Sequence, residues 1–184
     1  MKLHASMNIT YILPNEKKEI SNFFYNVFFQ SEGKEEGLTL QELTFQLTDQ
    51  IQDPSILGIK AHSNSEILGS LFLTQLQFQE GIRASLLAPV GVHPDHQGKK
   101  IGTQLIEYAV QYLKSQDIPF LMTYGDPKYY SRFGFQWVST QSIPSPHPLS
   151  QPEGWLLKEI SSDMKTELKG PVQCVEPFNT SDLW

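Results

Sequence analysis

The residues able to do chemistry gather in two short blocks of this chain. The first is His93-Pro94-Asp95-His96-Gln97-Gly98-Lys99-Lys100, a polar loop with two imidazoles and two ammonium groups, which runs into Ile101-Gly102-Thr103. A loop that opens a helix turns unpaired backbone N–H groups toward whatever lies in it. Such an end favours an anion. The stretch Gly98 to Thr103 is not a nucleoside-triphosphate loop, because the spacing G-x-x-x-x-G-K-[ST] is absent. The second block, Gly125-Asp126-Pro127-Lys128-Tyr129-Tyr130-Ser131-Arg132-Phe133-Gly134-Phe135, sets two adjacent phenols beside a Phe-Gly-Phe. A phenol held in place is a proton donor, and one beside such an apolar pair is equally a packing residue.

These blocks need elements to position them. Upstream of the loop, Ile82, Ala84, Leu86, Ala88, Val90 and Val92 alternate with Arg83, Ser85, Leu87, Pro89 and Gly91, the period of a strand. Downstream, Ile101, Leu105, Ala109 and Leu113, with Ile106 and Val110 beside them, fall on one helical face. Pro89 lacks an N–H and marks a bulge or an edge within the strand. In the second block Asp126 and Pro127 are N-cap and N1 of a short helix that Gly134 stops, and Phe135, Trp137 and Val138 begin another strand.

The remaining chain supplies the scaffold. Met7–Leu13 reads as a first strand halted by Pro14, and Asn15 as the cap of a helix from Glu16 to about Gln30, with Ile20, Phe23, Phe24, Val27 and Phe28 apolar. A polar break from Ser31 to Gly37 precedes a second helical stretch near Leu38–Leu47. Ile56–Ala61 and Ile67–Phe78 are strands joined through His62-Ser63-Asn64-Ser65; with Ile82–Val92 they make an antiparallel meander. A helical crossover then places Pro119–Thr123 parallel to the third of these strands. Thr140–Pro152 is a Ser/Pro-rich surface loop, and Trp155–Ile160 one more strand of the same sheet.

Composition narrows the classes. A chain of 184 residues with 39% hydrophobic content, eleven Phe, seven Tyr and three Trp fills one core, so a single domain over 1–184 is expected. A formal charge of −6 argues against a nucleic-acid face. The one cysteine, Cys174, excludes an intrachain disulfide framework and a clustered-cysteine metal site. No apolar run is long enough to span a membrane, and the first residues lack the form of a signal peptide. The expectation is a cytoplasmic protein without a metal, a nucleic-acid partner or a membrane, monomeric or homodimeric.

The first block resembles the pyrophosphate-binding signature [QR]-x-x-G-x-[GA] of the GNAT superfamily of acyl-CoA-dependent N-acetyltransferases, set after a V-x-P strand end. Gln97 and Gly102 hold its first and last positions, and Lys100 stands where the family normally has glycine. The second block resembles a bacterial subgroup of N-acetyltransferases with the string G-D-P-x-Y-Y-x-R-F-G-F, a more specific likeness. It extends to the tail, through Glu167-Leu168-Lys169-Gly170-Pro171-Val172 and Pro177-Phe178.

The resemblance implies an α/β fold of α+β type, with a central mixed, mostly antiparallel sheet flanked by helices. It implies acetyl-CoA as cosubstrate and an amine, small molecule or peptide, as acceptor. Coenzyme-binding residues would be Ala88, Val90, Gly91 and Val92 along the strand; Gln97, Gly98, Lys99, Lys100, Ile101, Gly102 and Thr103 around the phosphates; and Asp126 and Tyr129. Tyr130 would be the general acid for the departing thiolate, with Tyr129 as substitute, and a strand amide between Pro89 and Val92 the oxyanion donor. No general base stands out: His93 and His96 titrate in the useful range but serve equally as loop residues, and a water chain to a distant Glu is equally allowed. The alternative class is a noncatalytic acyl-CoA-binding or partner-binding module of the same fold, which Lys100 in the glycine position favours.

Overall fold

A computed structural model describes residues 6–161 and 168–184; Glu167 of the tail motif lies outside them. The strands are β1 (Asn8–Tyr11), β2 (Ile56–Ser63), β3 (Glu66–Gln77), β4 (Arg83–Val92), β5 (Phe120–Tyr124), β6 (Gln136–Trp137) and β7 (Trp155–Glu159). The α-helices are α1 (Lys17–Glu32), α2 (Lys34–Asp49), α3 (Ile101–Ser115) and α4 (Pro127–Tyr130). The strands form one sheet in the order β1-β2-β3-β4-β5-β7-β6. As the crossover rule requires, β5 lies parallel to β4, in register from Ala84↔Phe120 to Leu86↔Met122. β1 on β2, β5 on β7 and β6 on β7 are antiparallel. This is the mixed sheet with flanking helices that the sequence implied. No helix among the described residues is long and apolar enough to cross a membrane.

Two units divide the chain. One runs to Phe72 and includes Pro89–Glu107; the other takes Leu73–Ala88 and Tyr108 onward. In the first, α1 and α2 form a hairpin whose core centres on Phe24, fully buried against Phe23 (ring centroids 5.4 Å, near-perpendicular) and Phe72 (6.1 Å). The hairpin corrects the expected break from Ser31 to Gly37. α1 continues to Glu32, Gly33 alone turns at φ 99°, and α2 restarts at Lys34. Glu and Lys are good helix formers, so a polar run does not by itself end a helix. Gly33 does, because only it takes that backbone freely. Thr44 and Thr48 are buried on α2, where each hydroxyl donates to the carbonyl four residues back, Leu40 O at 2.6 Å and Thr44 O at 2.8 Å.

The start of α1 is a second correction. Pro14–Glu16 is a turn of 3-10 helix, and Asn15 does not cap. The Glu16 carboxylate does that work, accepting the Leu13 N–H at 2.9 Å and pairing with Lys60. Those hydrogen bonds hold the Glu16 pKa below its ordinary value although burial, the largest influence, opposes them.

In the second unit, Trp155 is fully buried, and its indole N–H donates to Ile143 O at 2.9 Å. The C-terminal Trp184 stacks on Tyr124 (6.2 Å) and meets Trp155 edge-on (5.9 Å), so the tail closes over β5 and β7. Gln77 and Gln173 form a bridge that ties the tail to the end of β3.

Candidate active site

The end of β4 and the loop after it belong to the first unit. Along β4, Ala84 to Leu87 are all buried, whereas further on Pro89 and Gly91 are buried and Ala88, Val90 and Val92 only half-buried. The alternation thus puts its smallest member inside. A Cβ on Gly91 would lie 3.2 Å from Phe24 Cε1 and 3.4 Å from Phe23 Cε1, so glycine lets α1 close on the strand. The two valines keep the more open face.

The loop is fixed at several points. The His93 N–H donates to Leu68 O of β3 at 2.9 Å, and the Gln97 side-chain amide reaches back to Val92 O at 3.3 Å. Gln97 therefore closes the loop onto the strand. His96 Nε2 faces Glu66 Oε1 at 3.0 Å, and the Lys99 ammonium donates to His96 Nδ1 at 3.3 Å. The His93 Nδ1 accepts the Asp95 N–H at 3.3 Å. Glu66, His93 and His96 bring ligand atoms within 4.8 Å of one another.

α3 begins with Ile101, and its first bond runs from Gln104 N to Lys100 O at 3.0 Å. The amides of Ile101, Gly102 and Thr103 precede that bond and have no acceptor within the helix. They form, with exposed Lys99 and Lys100, an electropositive end suited to an anion. α3 rests close on β3 because Gly69 is bare: a Cβ there would fall 2.9 Å from both Ile101 Cγ2 and Leu105 Cδ1.

Lys100 resolves the departure from the family pattern. Its φ is 63°, and Gly98 turns at φ 75°. The backbone keeps the left-handed turn that glycine makes freely, and lysine bears strain of about 1–2 kcal/mol there. Lys100→Gly is expected to raise stability by about 0.5–1 kcal/mol, after the extra freedom glycine gives the unfolded chain. Denaturant unfolding checks this, and a loss of stability would show that the lysine side chain holds the turn.

The second unit carries the phenols. Asp126 is the N-cap of α4, its carboxylate accepting the Lys128 N–H at 2.9 Å, with Pro127 in the first turn. After α4 the chain tightens into Ser131–Phe133 and stops at Gly134, φ 80°, where Lys158 donates to Phe133 O at 2.7 Å. Tyr129 is half-buried under the Arg132 guanidinium, 4.6 Å from its ring centroid. Burial pushes its phenol pKa up, and Arg132 opposes the rise.

Tyr130 sits differently. Its ring meets Tyr129 (5.0 Å) and Phe135 (5.5 Å) edge-on, and it lies across Gly125, where a Cβ would come within 2.7 Å of its Cε2. Tyr130 is half-buried. Burial pushes the phenol up to about 12; a hydrogen bond with the Thr123 hydroxyl lowers it and the neighbouring Tyr129 raises it. At neutral pH the group holds its proton.

Among the predicted site residues, one group gathers at the β4 end and the α3 start: Ala88, Val90, Gly91, Val92, Gln97, Gly98, Lys99, Lys100, Ile101, Gly102 and Thr103. Asp126, Tyr129 and Tyr130 gather around α4. Thr123 and Gly125 escaped sequence reasoning. The only signals for them were a hydroxyl inside the apolar run Phe120-Leu121-Met122-Thr123 and the glycine that opens the second block.

Comparison with known proteins gives a consistent family. The acetyltransferase (GNAT) domain matches residues 8–138. The chain is 26% identical over 143 residues to the uncharacterized N-acetyltransferase YjhQ of Escherichia coli strain K12, covering 74% of this chain and 78% of that protein. Its fold is similar to that of the GNAT family N-acetyltransferase YhbS from Escherichia coli in complex with CoA, with TM-score 0.79 and 19% identity, covering 98% of this chain and 96% of that one. A GNAT family acetyltransferase from Brucella melitensis in complex with acetyl-CoA gives TM-score 0.69 at 22% identity, covering 95% and 99%. With the family's domain matched over most of its length, this chain belongs to the GNAT acetyltransferases.

Proposed function

We propose that the protein is an acetyl-CoA-dependent N-acetyltransferase that passes the acetyl group directly to a primary amine while both substrates are bound. The observation that carries this reading is Tyr130, a phenol whose ring is held between Tyr129 and Phe135 over Gly125 and which burial keeps protonated at neutral pH, which suits an acid for a leaving thiolate. Coenzyme binding is assigned to the free amides of Ile101, Gly102 and Thr103 with Lys99 and Lys100 for the pyrophosphate. The half-open β4 face at Ala88, Val90 and Val92 is assigned to the arm that carries the thioester. Support comes also from the relatives solved with CoA and acetyl-CoA.

The steps follow from what an amide bond requires. The neutral amine attacks the thioester carbonyl, a strand amide between Val90 and Val92 stabilises the oxyanion, the attacking nitrogen loses its extra proton to solvent, and collapse expels the thiolate, which takes the Tyr130 proton that solvent then restores. Asp126 serves this site by capping α4 and thereby fixing where Tyr130 begins.

Acetyl-CoA that binds only the folded chain must stabilise it, by about 2.7 kcal/mol at a hundredfold excess over its dissociation constant. A rise in unfolding midpoint at millimolar acetyl-CoA is therefore expected. An unchanged midpoint would remove the cosubstrate from the assignment.

A further inference from the structure

Three side chains with metal-ligating atoms come together at one corner of the first unit, where β3 begins beside the loop that follows β4. His93 and His96 stand three residues apart across the 3-10 turn Pro94–His96, which the His96 N–H closes on His93 O at 2.8 Å. Residues at that spacing eclipse one another in a 3-10 turn, so both rings stand on one side, their centroids 5.4 Å apart. The His93 N–H on Leu68 O, at 2.9 Å, staples the turn to β3 two residues beyond Glu66. Glu66 Oε1 accordingly lies 3.0 Å from His96 Nε2, and one ligand atom from each of the three residues lies within 4.8 Å of the others. Among the described residues no other three His, Cys, Asp or Glu side chains converge in this way.

We propose that Glu66, His93 and His96 form a binding site for a divalent transition-metal ion, zinc being the ion their ligand set fits. The expectation of a chain without a metal rested on its single cysteine, which excludes thiolate clusters and not this set. Two imidazoles and a carboxylate are three of the four ligands zinc takes, the fourth position falling to water, whereas magnesium and calcium take oxygen. A tetrahedral ion with bonds of about 2.0–2.1 Å keeps its ligand atoms about 3.4 Å apart, so a shift of at most about 1.4 Å from 4.8 Å closes the set. Exposed Glu66 and half-buried His93 have the freedom for it. Both rings are in the neutral form that metals bind, since Nδ1 of each accepts a hydrogen bond, from the Asp95 N–H in His93 and from Lys99 in His96, both at 3.3 Å. An ammonium can only donate, so Nε2 of His96 carries the ring's proton and donates it to Glu66. Zinc on Nε2 takes the place of that proton, which the ring then carries on Nδ1. Lys99 must let go, the imidazole stays neutral, and no proton is lost.

Calorimetric titration of the tag-free chain with zinc chloride, without coenzyme, is the test. One ion should bind per chain, and the unfolding midpoint should rise as zinc is added, since the ion pins the loop to β3 in the folded chain. Glu66→Gln, His96→Gln and His93→Asn, the last keeping an acceptor for the Asp95 N–H, should each weaken zinc binding roughly 100-fold, as even a partner outside the ligand set is worth about 10- to 100-fold. Lys99→Met should tighten it roughly threefold or more, because the ammonium no longer competes for His96 or repels the ion. His147→Gln, in the second unit, should leave zinc affinity unchanged. Cobalt in place of zinc should give the visible bands of a four-coordinate nitrogen and oxygen set with no sulfur charge transfer, a readout that needs no variant to fold. No saturable binding at micromolar zinc, wild-type affinity in the three ligand variants, or a sulfur band from Cys174 would overturn the site. Weaker zinc binding in Lys99→Met would overturn the proton exchange on His96.

Discussion

Tyr130→Phe is expected to lower turnover by roughly 10- to 1000-fold while leaving coenzyme affinity nearly unchanged, the range of acid catalysis with partial rescue by water. The phenol acts on charge that develops only as the carbon–sulfur bond breaks, since a thioester sulfur is a poor acceptor. Loss of such a group reduces kcat and kcat/KM together. The pH profile carries the same signature. With its phenol pushed up to about 12, Tyr130 stays protonated through pH 10, so the wild-type alkaline limb lies above that and shifts or vanishes in the phenylalanine variant. The sign agrees for stability: a phenol raised in the folded chain above its ordinary value of 10.0 contributes stability fully present below pH 10 and lost as pH rises toward 12. Full turnover in Tyr130→Phe would pass the role to Tyr129 or solvent. Joint loss of coenzyme binding and stability would make Tyr130 a packing residue between Tyr129 and Phe135.

Gly102→Glu is expected to weaken acetyl-CoA binding at least tenfold. Gly102 is buried in the first turn of α3, where a carboxylate would stand among the free amides and repel a pyrophosphate. Two like charges about 4 Å apart near a protein surface repel by about 4 kcal/mol, and even a third of that gives the tenfold effect. Since Gly102 is buried, Lys99→Glu and Lys100→Glu, both exposed, make the same electrostatic test without touching the packing. Calorimetric titration with acetyl-CoA reads the change. Unchanged affinity in folded Gly102→Glu and in both lysine variants would make the loop a simple turn.

The features legible in the sequence were those set by local periodicity and capping. The β4–loop–α3 junction, the Asp126-Pro127 start of α4 and the Gly134 stop are each signalled within a few residues, and each stands where expected. The parallel β4–β5 pair followed from the helical crossover between the two strands. What the sequence hid depends on groups distant along the chain or on a dihedral. The partner of Glu16 is Lys60, more than forty residues away, so Asn15 seemed the natural cap. Lys100 carries no outward sign that it adopts a glycine conformation. Thr123 looked like one more strand residue, because the Leu87 carbonyl it donates to lies 36 residues before it, and only folding brings them together.

Release of free thiol from acetyl-CoA, followed across a panel of primary amines, tests the central claim most directly. The account predicts thiol release that depends on the amine, yields the N-acetyl product in equal amount, and falls at least tenfold in Tyr130→Phe. Acetyl-CoA that binds and stabilises the fold, yet is not turned over with any amine of the panel, would contradict it and make the protein an acyl-CoA-binding module.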